Sequence, residues 1–131
     1  MNAEESLKEV KTVIREIVTE TFGDVPLTAD ETRFGAEPCG DGKEFYLWVV
    51  SFAPVENKSG AESMMQLSKS LASRDFEVLR TNSDFVAVFN QAWGNKARQL
   101  GIDISGSRDK PDIEIQGMSA CASKAAEKQL P

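Results

Sequence analysis

From Asn2 to Phe22 the apolar residues Leu7, Val10, Ile14, Ile17, Val18 and Phe22 recur at steps of three and four, which places them on one stripe of an amphipathic helix. Asn2 with Glu5 three positions on reads as a capping box, and Gly23 stands where a C-terminal cap belongs. Lys8, Lys11, Arg15, Glu16 and Glu20 fall largely off the stripe and read as its solvated face. The periodicity then lapses. Gly, Pro, Asp and Thr accumulate from Gly23 to Gly42, which predicts an irregular tethered loop over 23–42, with a short edge strand within Thr32–Glu37.

The stretch Glu44–Phe52 is aromatic and β-branched, and apolar almost without alternation. It predicts a central strand covered on both faces. Ser59 with Glu62 gives a second capping-box signal, for a helix running to about Ser73 with Met64, Leu67 and Leu71 on its stripe and Met65 beside them. Both methionines read as core filler. Four short apolar runs follow, Phe76–Thr81, Phe85–Trp93, Arg98–Ser105 and Asp112–Met118. They are split by the turn Asn82-Ser83-Asp84 and the polar loop Gly106-Ser107-Arg108-Asp109-Lys110-Pro111. In the last two runs Leu100, Ile102 and Ile104, then Ile113 and Ile115, alternate with polar or small residues, so those strands are half buried.

The order α-β-α-β-β-β-β implies an α+β fold, an antiparallel sheet of about five strands with two helices packed on it. Residues 1–131 read as a single domain, with 122–131 a frayed C-terminal tail. Apolar residues at 40% and charged ones at 27% supply enough for one core.

Fifteen basic against 21 acidic residues leave a net charge of -6. Nucleic acid is bound by neutralising phosphates with Lys and Arg, so this balance, with no local basic run, argues against a nucleic-acid partner. No apolar stretch approaches the roughly 20 residues that span a bilayer, so membrane insertion of the domain is not expected.

Histidine is absent, which removes the commonest general base and the commonest nitrogen ligand. The carboxylates Glu37, Asp41, Glu44, Asp84, Asp103, Asp109, Asp112 and Glu114 are scattered, and no spacing brings two together over a substrate. They read as solvated surface charge. The glycines form neither a Walker loop nor a dinucleotide fingerprint. The expectation is therefore no enzyme, no catalytic residue, no metal and no cofactor. Trp48 reads as core. Trp93, which ends a strand beside Gly94 and Asn95, and Phe34 are the candidates for contact with a ligand or partner.

Cys39 and Cys121 lie 82 positions apart, neither in a Cys-x-x-Cys arrangement nor beside a basic activating group. The expected arrangement is a disulfide, which would close a long loop worth roughly 4 kcal/mol and place the protein outside a reducing cytoplasm. Two buried free thiols and a functional thiol are the alternatives. Met1-Asn2-Ala3-Glu4-Glu5 runs straight into a charged helix without a signal peptide, which is read as a chain whose leader has been removed.

The segment Asp75-Phe76-Glu77-Val78 after a helix, the hairpin, the alternating strand at Gly101–Ser105 and the closing Ile113-Glu114-Ile115-Gln116-Gly117-Met118-Ser119-Ala120-Cys121 resemble small exported proteins of actinobacteria, many of them classed as lipoproteins of unknown function. The resemblance implies a pairing of Cys121 with Cys39 and an extracytoplasmic location, with an N-terminal lipid anchor on the full-length protein. It implies no reaction. The function expected is a secreted or cell-envelope domain that binds a protein or small ligand, and the alternative is a cytoplasmic acidic interaction protein of immunity or secretion-chaperone type.

Overall fold

Helix α1 (Ala3–Phe22) starts and stops where its sequence signals lie. The Asn2 side chain accepts from the Glu5 N–H at 2.8 Å while the Glu5 carboxylate accepts from the Asn2 N–H at 3.0 Å, so two N–H groups that helix geometry leaves orphaned are satisfied together. At the other end Gly23, at φ 77°, donates its N–H to Thr19, a conformation that a side chain would strain. The computed structural model describes residues 2–35, 39–53, 60–83, 88–107 and 112–123. The second expected capping residue, Ser59, lies outside them.

After α1 come β1 (Thr28–Phe34), β2 (Lys43–Phe52), helix α2 (Gly60–Ala72), β3 (Glu77–Ser83), β4 (Val88–Asn95), β5 (Leu100–Ser107), β6 (Ile113–Met118) and the two-residue β7 (Ala122–Ser123). Six strands form one antiparallel sheet in the order β1-β2-β6-β5-β4-β3, and β7 pairs with the start of β2. The α+β class holds, with two strands more than the five expected. One is β1, which runs from Thr28 to Phe34 inside the segment read as an irregular loop and is longer than the short edge strand anticipated there. The other is β7, where Ala122 and Ser123, read as the start of a frayed tail, pair with Glu44 and Lys43. Several strand ends also differ, β4 continuing to Asn95 and β5 starting at Leu100. β3 continues through Asn82 and Ser83, read as turn, and β5 through Gly106 and Ser107. The tail beyond Ser123 lies outside the described residues.

Both helices lie on one face of the sheet. Val10, Ile14, Ile17 and Val18 of α1 and Leu67 and Leu71 of α2 pack on Tyr46, Trp48, Val50 and Phe52 of β2, Ile102 and Ile104 of β5, and Ile113 and Ile115 of β6. The Lys11 and Arg15 head groups lie 5.5 and 5.1 Å from the centre of the Trp48 ring, so their stems cover the indole while their charges stay near water. Gly117 of β6 is what lets α1 come this close, since a Cβ there would sit 2.5 Å from Ile14 Cδ1 and 3.0 Å from Val10 Cγ2. The helices are clasped at their C-terminal ends, where Arg74 Nη2 donates to Glu20 at 2.6 Å and Ser70 Oγ donates to the same carboxylate at 3.1 Å.

Two expectations about the core are corrected. Met65 is 63% exposed, on the outer side of α2 from Leu67 and Leu71. Among the described residues β2 is covered on one face only. Its even-numbered residues Glu44–Phe52 are buried under the helices, whereas Phe45, Leu47 and Val49 are half-buried on the opposite face, on which no described element packs.

Candidate functional site

Among the described residues, no element packs on the sheet face turned away from the helices. Alternation along each strand decides which residues it shows. Register then sorts them into rows across the strands. One row runs Thr32, Leu47, Met118, Gly101, Gly94, and the next Asp30, Val49, Gln116, Asp103, Ala92. Phe34 and Phe45 extend the apolar part at one end, their rings stacked at 4.8 Å and 11°.

The two glycines shape this surface. A Cβ on Gly101 would meet the Met118 Cε at 2.9 Å, and one on Gly94 the Leu79 Cδ1 at 2.9 Å, so both long side chains lie over a neighbouring glycine. Met118 remains 42% and Leu79 63% exposed. The result is a shallow apolar band made of Phe34, Phe45, Leu47, Val49, Met118 and Leu79. Polar groups border one side of it. Asn90 Nδ2 donates to Asp103 Oδ1 and, at 3.0 Å, to Ser105 Oγ, and Gln116 Nε2 donates to Glu114 at 2.9 Å. Among the open-face side chains described, Asp30, Glu77, Asp103 and Glu114 are acidic and Lys43, at the far end of β2, is basic.

A second polar cluster sits where the chain is stapled. Cys39 and Cys121 are joined, with their Cα atoms 5.5 Å apart. The bridge holds the segment before β2 against the end of β6, where Tyr46 N–H donates to Ser119 Oγ at 2.8 Å and Ala120 N–H to Ser6 Oγ at 2.8 Å. Glu44, whose strand position pairs with Ala122 beside the bridge, is 2% exposed and not the solvated charge the sequence suggests. Tyr46 donates its hydroxyl to Glu44 Oε2 at 3.2 Å, and Arg33 Nε stands 3.7 Å from Oε1, which has no hydrogen-bond partner. Burial, and after it the neighbouring Glu44 charge, push the Tyr46 hydroxyl above its usual range. An open cleft of about 400 Å³ beside the bridge is lined by Ser6, Glu9, Arg98, Gln99 and Cys121, with Arg98 and Glu9 paired at 3.1 Å.

Phe34 and Trp93 do not come together. Phe34 lies on the open face at 37% exposure. Trp93 is placed in the core instead, 7% exposed, on the helix side of β4, with an indole N–H that has no hydrogen-bond partner. Of the carboxylates, Asp103 and Glu114 fall on the open face, and Glu37, Asp84 and Asp109 lie outside the described residues. Among the described residues no three His, Cys, Asp or Glu side chains are grouped as a metal site would need. Phe45, Leu47, Val49, Met118 and Leu79 are the open-face residues the sequence did not single out. The unbroken apolar character of β2 was their signal.

No family model matches the chain, and no curated protein matches it. Among solved structures it is similar to a Pseudomonas aeruginosa protein of unknown function, PA94, at 11% identity and a TM-score of 0.51, over 81% of this chain and 83% of that one. At that identity the likeness concerns the fold alone.

Proposed function

We propose that this chain is a non-enzymatic binding domain of the cell exterior or envelope, held by a lipid anchor in its full-length form, that docks a protein partner on the open face of its sheet. The observation that carries the reading is the apolar band of Phe34, Phe45, Leu47, Val49, Met118 and Leu79, on which no described element packs. Contiguous exposed apolar patches rimmed by polar residues are a feature of interaction sites. The carboxylates along its border favour a partner whose apolar contact residues are flanked by basic ones. The Cys39–Cys121 bridge supports the compartment, because structural disulfides persist where thiols are not kept reduced.

The test is photo-crosslinking in the cells that make the protein, with a diazirine side chain at Leu47 or, as control, at Glu16 on the solvated face of α1. A single protein adduct from Leu47 and none from Glu16 is expected. Equal adducts at both positions, or none at Leu47, would overturn the reading. The cytoplasmic alternative is separated by the thiol state, since protein quenched with a maleimide at lysis should show two blocked cysteines and no label.

A further inference from the structure

We propose that the chain pairs with a second copy of itself, edge to edge through β1, with the two-fold axis at Thr32. The observation is the character of that edge. β1 is an outermost strand, all seven of its residues are exposed, and it runs in unbroken register with β2 from Thr28 opposite Ser51 to Phe34 opposite Phe45. Natural sheets blunt such edges with proline, charged side chains, a bulge or a very short strand. β1 has no proline and no bulge over its seven residues, and its charges, Asp30, Glu31 and Arg33, are of both signs, so they repel a copy of the same edge in some registers and attract it in another. The opposite edge, β3, carries a register shift between Val78 and Arg80. One border of the sheet is broken by a register shift, and the other runs straight with charges of both signs.

Charge along β1 then selects the partner. In a symmetric antiparallel pair the dyad passes between a residue and its own copy, and opposed residues project to the same face. A dyad at Asp30, Glu31 or Arg33 sets two like charges against each other, which is unfavourable. A dyad at Thr32 sets two hydroxyl side chains together at the axis. On either side of it Glu31 then meets the partner's Arg33, and Arg33 the partner's Glu31. Both residues lie on the helix side of the sheet, where Glu31 already pairs with Lys11 at 2.7 Å and Arg33 is 66% exposed. The pairing therefore extends an alternating run of charges from one copy into the next. The edge is complementary to itself in one register.

The consequence reaches the open face without depending on what docks there. Thr32 belongs to the same row as Leu47 and Met118. Pairing at this dyad would make the row continuous across the seam, so that two apolar bands face the same way on one twelve-stranded surface.

Sedimentation velocity on the oxidised protein should show a dimer that dissociates on dilution. Register is tested with Thr32→Cys and Asp30→Cys. Directly opposed residues in an antiparallel pair have Cα atoms about 4.5–5.5 Å apart, within disulfide reach, whereas two copies of residue 30 would stand about 13 Å apart. At least ten-fold more covalent dimer is expected from Thr32→Cys than from Asp30→Cys under the same mild oxidation. A wild-type chain still monomeric at ~0.5 mM, or equal cross-linking at the two positions, would overturn the proposal.

Discussion

Removing the Cys39–Cys121 bridge, by the double substitution Cys39→Ser/Cys121→Ser, is expected to cost a large part of the stability while leaving the helix and sheet content of the survivors intact. The bridge closes a loop with a sequence separation of 82. In the chain-entropy model a loop of that size is worth about 4.5 kcal/mol, against about 5–15 kcal/mol for a typical domain. The local structure points the same way. β7 pairs with β2 only at Lys43 and Glu44, and it follows Cys121 directly. Without the tether those two residues have little to hold them, and the buried Glu44 carboxylate gains water by their release. Urea unfolding followed by the fluorescence of the buried Trp48 and Trp93 reads this out. With a slope of about 2 kcal/mol/M the midpoint should fall by about 2 M. A fall of less than about 0.5 M would refute the reasoning, because the loop and β7 would then be held by contacts other than the bridge.

Three further outcomes follow from the geometry. Gly117→Ala drives a methyl into Ile14 and Val10 under α1 and should cost about 1–3 kcal/mol by chemical denaturation, whereas Gly101→Ala displaces only the mobile tip of Met118 and should stay within about 0.5 kcal/mol. Glu20 is held below its ordinary value of 4.5, first by the hydrogen bond from Arg74. Its contribution is present above that value and fades as pH falls through the lowered one, so Arg74→Gln should flatten the acid limb of a thermal-stability profile, and an unchanged limb would argue against the clasp. Tyr46, raised mainly by burial, contributes stability that is complete below pH 10 and is lost as pH rises through its folded value. Tyr46→Phe should remove that alkaline dependence in the same profile.

Much of this fold is legible in the chain because local and tertiary signals agree there. α1 carries its own stripe and both caps, and the alternation at Leu100–Ile104 and Ile113–Ile115 is that of strands with one buried face. β1 was not legible. Thr28-Ala29-Asp30-Glu31-Thr32-Arg33-Phe34 has no apolar alternation, since both its faces are exposed and its order comes from the backbone ladder with β2. The sequence of β2 announced a strand with two apolar faces, and a pattern of that kind cannot say whether the second face is covered by the same chain or left for another. Glu44 reads as surface charge because nothing local reveals that Tyr46, Arg33 and the bridged segment enclose it. Trp93 was misplaced for a similar reason. Its position beside Gly94 suggested a strand end, but β4 continues to Asn95 and turns the indole toward the helices.

The most direct test of the central claim, that the apolar open face serves a partner and not the fold, is the Leu47 photo-adduct yield in a Phe34→Asp/Met118→Asp chain. Both side chains are substantially exposed, so the unfolding free energy should stay within about 1 kcal/mol of the parent. The account expects at least a ten-fold loss of adduct from a chain that is still folded. An undiminished yield from that chain would contradict it.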